Sequence, residues 1–318
     1  MISINRTATA AALLCVCWSA NAAAERVVYD LTHAIPTFAP SADNLTQPDL
    51  GQPFKDSTPV AGFGPQATRA AIPNFDTSSG FFQWGKIVID EHYGTHVDST
   101  HHFVNTPETL DVDKPDARTI EQYTTADLIG PVVFIDIGAR VAAELAKNGG
   151  KPSPDPKVTD FSNAGGATVG ADDIAAIADQ ITDRAWIVVH SGWDQFYHDA
   201  SETSAYINGF NFPGFSQAAI DKLIAIEKER GVRLNGLVMD NLSIDSGQNG
   251  LGSKGDIHGD GWYAHVHGLQ RGWKFVENAA AVGQLAGAKP GDCELVVGAI
   301  KLTGGSGAPA RVLALCQR

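Results

Sequence analysis

Short apolar runs recur along the chain, separated by more polar segments. They are rich in valine and isoleucine, which is typical of strands buried in a sheet, and they cover residues 27–31, 86–90, 131–137, 185–190 and 237–240. Apolar residues at helical spacing predict helices over residues 139–147, 169–181 and 217–230. Because strands and helices alternate, the pattern predicts one α/β domain.

Two segments depart from this alternation. Residues 41–80 are rich in Pro, Gly, Ser, Thr and Asn and lack periodicity, which predicts a long irregular excursion, and such loops are commonly functional. Residues 1–24 combine a weakly basic start, an apolar stretch and small residues at the end. This pattern predicts a secretory signal peptide, with a buried N-terminal helix as the alternative. We therefore expect a periplasmic or secreted protein whose mature domain spans residues 25–318.

Composition and charge narrow the classes of partner. The 318 residues are 43% hydrophobic and 19% charged, which is typical of a globular domain with a sizeable core. The formal net charge is −13 and no run of Lys or Arg occurs, which argues against nucleic acid and against an anionic membrane as partners. The acidic balance itself gives no information on the substrate, and the small-molecule substrate that we expect follows from the motifs described next.

The mature chain would keep two of the four cysteines, Cys293 and Cys316. An oxidising compartment would allow a disulfide between them, tying the C-terminal strand to the strand before it. Two buried free thiols are the alternative, and the sequence leaves both open. Neither cysteine has the spacing of a thiolate metal site.

Residues that can bind a metal or transfer a proton are most concentrated between His92 and Phe103, where four histidines and one aspartate occupy twelve positions. The strand at 86–90 leads directly to His92, and Gly94 allows a tight turn before His96. His96 and Asp98 are two residues apart, so in extended chain they point to the same face. Two imidazoles and a carboxylate in this arrangement predict an open metal site. A polar loop with hydrogen-bonded histidines is the alternative.

The motif His-x-Gly-Thr-His-x-Asp, followed by a His-Phe pair, resembles the signature of the metal-dependent cyclase superfamily, which includes bacterial kynurenine formamidase and isatin hydrolase. The resemblance implies a swivelling β/β/α-type fold in a single domain, commonly assembled as a homodimer or homotetramer. It also implies that His92, His96 and Asp98 bind a metal and that His102 is the acid/base catalyst. Thr100-His101 fills a gap where many members have a proline or small residue, so His101 is a rival to His102.

The same resemblance extends to the second half of the chain. His265 and Glu277 are twelve residues apart, as are a late histidine and a glutamate of the family, and they would bind a second ion that Asp98 bridges. The implied cofactor is one or two Mn or Zn ions per chain. His258 and His267 are alternatives to His265. Asp240 and Asp245 match a further family pattern and would orient the ligating imidazoles, with solvated loop residues as the alternative.

Aromatic residues supply the candidates for substrate contact. Phe82 and Trp84 lie just before the metal strand, where they would form either an apolar wall for an aryl substrate or ordinary core. Phe38, in the loop after the first strand, is a further candidate. Trp193 follows a strand that resembles one ending near the site in the family.

The function that these features predict is metal-dependent hydrolysis of an amide, in a cyclic lactam such as isatin or an aryl formamide such as N-formylkynurenine. A lyase or cyclase acting through the same metal, a periplasmic metal- or ligand-binding protein without catalysis, and a structural protein without metal are the alternatives. Residues 250–255 match the letters of a dinucleotide-binding motif, but no strand precedes and no helix follows it, so we reject that interpretation. The absence of a Gly-x-Ser-x-Gly motif argues against a serine hydrolase.

Overall fold

A computed structural model describes residues 25–34, 68–71, 85–103, 116–162, 166–197, 205–247 and 261–317. The predicted signal peptide, most of the excursion at 41–80, and the candidates Phe38, Phe82, Trp84 and His258 lie outside these residues. The strands are β1 (Arg26–Asp30), β2 (Thr68–Ala71), β3 (Gly85–Val88), β4 (His96–Asp98), β5 (Ile129–Asp136), β6 (Trp186–His190), β7 (Gly236–Met239), β8 (Lys274–Glu277), β9 (Cys293–Ala299) and β10 (Gly307–Gln317). The α-helices are α1 (Thr125–Leu128), α2 (Gly138–Ala146), α3 (Ala171–Ile177) and α4 (Gln217–Arg230).

Seven of these strands close into a barrel. Their order is β10, β4, β8, β7, β6, β5 and β9, and β9 pairs with β10 to complete the ring. β5 to β8 run parallel to one another, whereas β4, β9 and β10 join them through antiparallel pairs. β1 pairs with the far part of β10, and β2 pairs with β3 as a separate ribbon. The prediction of a single mixed α/β domain is confirmed.

The parallel strands β6, β7 and β8 are buried on both faces of the barrel wall. In β6, Trp186 and Val188 belong to a cluster inside the barrel, whereas Ile187 and Val189 belong to a second cluster that includes apolar residues of the helices. A strand covered on both faces has no need of polar alternation, which explains why these strands appear in the sequence as continuous apolar runs.

α4 begins and ends where the sequence predicts. The Ser216 hydroxyl accepts a hydrogen bond from the Ala219 backbone N–H at 3.2 Å, and Gly231 ends the helix with a left-handed backbone, φ 64°. α3 stops at Ile177 and continues as the 3₁₀ helix Ala178–Gln180, so the predicted helix over 169–181 is shorter. No helix within the described segments combines the length and apolarity needed to cross a membrane.

A disulfide joins Cys293 and Cys316. The two residues are register partners in the antiparallel pair of β9 and β10, with Cα atoms 4.1 Å apart, and both are buried. Of the two alternatives that the sequence left open, the structure therefore has the disulfide, and it closes the barrel covalently at this seam.

Replacing both cysteines with serine should destabilise the protein by about 3 kcal/mol, because a cross-link over this chain length restricts the unfolded state. Chemical denaturation of the oxidised protein and of the double variant measures the difference. Reduced wild-type protein should match the variant. Equal midpoints for oxidised and reduced protein would show that the bond is absent or adds nothing.

Candidate metal centre

The pairing of β4 with β8 places three of the predicted ligands side by side. His96 lies opposite Glu277 in the register, and Asp98 is two residues further along β4. Val97 and Val276 alternate with these residues and point into the barrel, so His96, Asp98 and Glu277 project from its outer face. All three side chains are buried.

His265 reaches the same place from a different element. It begins the π-helix His265–Leu269, an element that is rare and often marks functional sites. The Asp245 carboxylate accepts hydrogen bonds from the backbone N–H groups of Ala264 and His265 and lies 2.7 Å from His265 Nδ1. Asp245 therefore fixes both the start of this helix and the orientation of the imidazole, as predicted.

The five predicted ligands lie together, with Asp98 at the centre. Its Oδ1 lies 2.6 Å from His92 Nδ1 and 3.3 Å from His96 Nε2, and its Oδ2 lies 3.5 Å from His265 Nε2. Glu277 completes the ring: its Oε2 is 3.6 Å from His96 Nε2, and its Oε1 is 3.5 Å from His265 Nε2. Asp98 thus lies between His92 and His96 on one side and His265 on the other.

The outer contacts of the imidazoles decide which ring nitrogen carries hydrogen. His96 Nδ1 faces the Gly94 carbonyl at 2.8 Å, and His265 Nδ1 faces the Asp245 carboxylate, and both partners can only accept. His92 Nε2 faces Ser306 Oγ at 2.9 Å, and this hydroxyl donates its own hydrogen to Glu91 Oε2 at 2.8 Å. Each outer nitrogen is therefore the donor. In a neutral ring, the nitrogen that faces Asp98 or Glu277 carries a lone pair.

The centre of the cluster consequently contains acceptors only. Three imidazole lone pairs face two carboxylates, and Asp98 Oδ2 has no hydrogen-bond partner. Acceptors this close repel one another unless a positive charge lies between them, and buried charges without compensation are costly. Nitrogen and oxygen donors of this kind suit a divalent transition-metal ion. The residues present therefore fit such an ion.

The pKa values of the buried carboxylates and of His265 also indicate that the cluster needs positive charge. Burial raises the pKa of Glu277 to about 7, and the charge of Asp98 adds to this effect. Burial opposes ionisation of Asp98 too, but its histidine neighbours hold the pKa of the carboxyl well below its usual range. Burial would lower the pKa of His265, yet the contacts with Asp245 and Asp98 raise it to about 10. Without a cation, a proton on the His265 ring takes its place.

His102 lies beside this cluster. Its ring stacks on His92 with centroids 4.0 Å apart, and it can bring a nitrogen within 4.8 Å of ligand atoms of Asp98 and His265. Burial lowers the pKa of His102 to about 3, so the imidazole is neutral. Its rival His101 is exposed. The structure thus brings His102 to the cluster, and its acid/base role stays a prediction.

Residues 29–246 match the model of the family described as "Putative cyclase". The chain belongs to this cyclase family.

Proteins similar to this chain include isatin hydrolases. The isatin hydrolase of Roseibium aggregatum is 28% identical over 166 residues, which span 48% of this chain and 50% of that protein. The match therefore covers about half the length of this curated relative. Isatin hydrolase A from Ralstonia solanacearum has a TM-score of 0.61 at 20% identity, with 92% of each chain covered. An isatin hydrolase bound to the product analogue thioisatinate has a TM-score of 0.60 at 23% identity, covering 92% of this chain and 94% of that one. Both structures share the fold.

Two further residues that the sequence singled out, Trp193 and Asp240, have contacts of their own in this member of the cyclase family. Trp193 is fully buried in the core, where its indole N–H donates to the Tyr206 carbonyl at 2.9 Å. This position gives it a packing role, and substrate contact stays a prediction. The prediction for Asp240 is wrong: its carboxylate accepts from the backbone N–H groups of Ser191 and Gly192 rather than from an imidazole. It fixes the turn after β6.

Two residues that the sequence did not indicate contribute to the centre. Ser306 and Glu91 form the chain of hydrogen bonds that holds His92 Nε2, and the Ser306 backbone N–H also donates to Glu91. Glu91 adjoins the histidine motif, but Ser306 lies far along the sequence in the turn before β10. The pairing of β10 with β4 brings it near. No local pattern signals that pairing.

Replacing Ser306 with alanine should lower metal affinity by about 10- to 100-fold, because His92 loses the acceptor that keeps Nδ1 free for the ion. Competition with a fluorescent chelator measures the affinity. Ser153→Ala is the matched control, since that hydroxyl bonds only within a surface turn. Unchanged affinity in Ser306→Ala would contradict the assigned role.

Proposed function

We propose that this protein is a metal-dependent hydrolase that cleaves an amide bond in a cyclic lactam such as isatin or in an aryl formamide such as N-formylkynurenine. The observation that carries the proposal is the acceptor-only cluster with a neutral histidine beside it. His92, His96, Asp98, His265 and Glu277 would hold one or two Mn or Zn ions. Such an ion supplies a Lewis acid for the carbonyl and lowers the pKa of a water molecule.

His102 is the group best placed to move protons. A neutral imidazole has one ring nitrogen with a lone pair, which accepts the proton of the attacking water, and the imidazolium returns it to the leaving nitrogen. The water oxygen bonds to the carbonyl carbon, the carbon–nitrogen bond breaks, and the products are a carboxylic acid and an amine. The first transfer requires an imidazole beside the ligands, and the His102 ring stacks on that of His92 with centroids 4.0 Å apart.

The comparisons support hydrolysis as the reaction class. The curated relative is named as an isatin hydrolase, and one solved neighbour is described as bound to a product analogue, thioisatinate. Ring opening of a lactam and cleavage of a formamide need the same water attack on an amide carbonyl. We therefore carry both substrate classes to this chain as a proposal.

We also propose a periplasmic or secreted location for the mature protein. The predicted signal peptide supports it, and so does the disulfide between Cys293 and Cys316, because such bonds persist in oxidising compartments.

The first experiment measures hydrolysis of isatin and N-formylkynurenine by the full protein as isolated, after chelation, and after return of Mn²⁺ or Zn²⁺. We expect activity that chelation abolishes and metal restores. Isatin should give one product heavier by one water, and N-formylkynurenine should give formate and an amine whose masses together equal the substrate plus one water. Activity that survives chelation would contradict the proposal. Products whose masses together equal that of the substrate, without added water, would show a cyclase or lyase instead.

Replacing His102 with alanine should lower the turnover rate by about 10²- to 10⁴-fold while the metal content stays unchanged, because the proton acceptor is lost but no ligand is. Steady-state kinetics and elemental analysis of the same sample test both statements. His101→Ala is the matched control, since this neighbour is exposed, and it should keep wild-type rates. Loss of metal from His102→Ala would show that His102 is a ligand.

A further inference from the structure

A second cluster of charged side chains lies at a different end of the barrel. It surrounds a cavity of about 110 Å³ at the N-terminal ends of β6, β7 and β8. Five cationic side chains line it, namely Arg118, Arg184, Arg233, Arg271 and Lys274. We call it the barrel-end cavity. Lys274 begins β8 and Glu277 ends it, so the two point to opposite faces of the sheet roughly 10 Å apart along the strand.

Lys274 is the most unusual of these residues because it is only 2% exposed. Its side chain shares the inner face of the barrel wall with Val276. Nζ donates to the Gly272 carbonyl at 3.3 Å and lies 5.6 Å from the ring centre of Tyr123 and 5.7 Å from that of Trp186. Within the described residues, no carboxylate lies within ion-pair distance of Nζ. An ammonium group has three donors, so this one keeps hydrogen-bonding capacity for a further partner.

Three aspartates share the barrel-end cavity but leave its charge incompletely balanced. Asp116 and Asp127 both bind Arg118, so these two carboxylates are directed at one guanidinium. Asp183 lies 3.9 Å from Arg184 and accepts from the Arg233 backbone N–H. The Arg233 guanidinium forms no ion pair with the rest of the described chain. With Arg271 left aside, four cationic side chains face these three carboxylates, and among the described residues Lys274 and Arg233 are the two of the four that form no ion pair.

We propose that the barrel-end cavity binds a small phosphate-class oxyanion between Lys274 and Arg233. A guanidinium offers paired donors to two oxygens of such an anion, and an ammonium group complements them as a compact charge. The cavity has room for the oxyanion group itself. The ligand is therefore free phosphate or the phosphate group of a larger molecule whose remainder stays in solvent.

Burial of Lys274 agrees with such a partner. Burial lowers the pKa of its ammonium group to about 7, because the charged form is poorly compensated in the protein alone. An anion that neutralises this charge binds the native state and not the unfolded chain, so it stabilises the fold by mass action.

Calorimetric titration of the metal-loaded full chain with inorganic phosphate, and separately with glycerol phosphate, tests the proposal at constant ionic strength set with chloride. We expect saturable binding of at least one of them and a rise in melting temperature. Inorganic phosphate alone would identify the free anion, and tighter binding of glycerol phosphate would identify a larger ligand. Absence of saturable binding by both would overturn the proposal.

Two variants of the cavity residues test where the oxyanion binds. Lys274→Met and Arg233→Ala should each weaken it by at least tenfold, and Arg233→Ala changes an exposed side chain, so it answers the question even where Lys274→Met folds poorly. Arg140→Ala, on the exposed face of α2, is the matched control and should leave binding unchanged. Binding that survives both variants and disappears in Asp98→Asn would place the anion at the metal centre and overturn the proposal.

Discussion

The structure depends on the compensation of buried negative charge at Asp98. This carboxylate is fully buried on the outer face of the barrel, beside a second carboxylate, Glu277, and three imidazoles. Each imidazole has its hydrogen directed away, towards the Gly94 carbonyl, Asp245 or Ser306, so lone pairs point inward. The cluster is stable only with positive charge at its centre. A divalent cation supplies that charge and, in the proposed reaction, the electrophile.

The barrel makes this arrangement rigid. β4 has only three residues, yet it is held between β10 and β8, so His96 and Asp98 have fixed partners on both sides. Val97 anchors the strand from inside the barrel. His265 comes from the π-helix and is oriented by Asp245. Four of the ligands thus derive their positions from the barrel wall and from one short helix. The fifth ligand, His92, and the neighbouring His102 come from the segments that flank β4.

The sequence predicted those parts of the fold and of the site that neighbouring residues determine. The buried strands and α4 follow from apolar runs and helix caps, and the spacing within residues 92–98 places three ligands in one short segment. The role of His102 came from resemblance to the cyclase family. His265 and Glu277 came only from resemblance to the cyclase family, since nothing local joins them to Asp98. Ser306 was missed and Asp240 was misassigned, because their partners are set by strand pairing between distant segments. The disulfide was left open for the same reason, since it depends on the register of β9 and β10.

The most direct test of the central claim is X-ray diffraction from crystals of the protein grown with Mn²⁺, recorded where manganese scatters anomalously. We predict an anomalous peak in contact with Asp98, with His92 bound through Nδ1 and His96 through Nε2. A centre without any peak at saturating Mn²⁺ and at saturating Zn²⁺, with the carboxylates paired to protonated imidazoles instead, would contradict it.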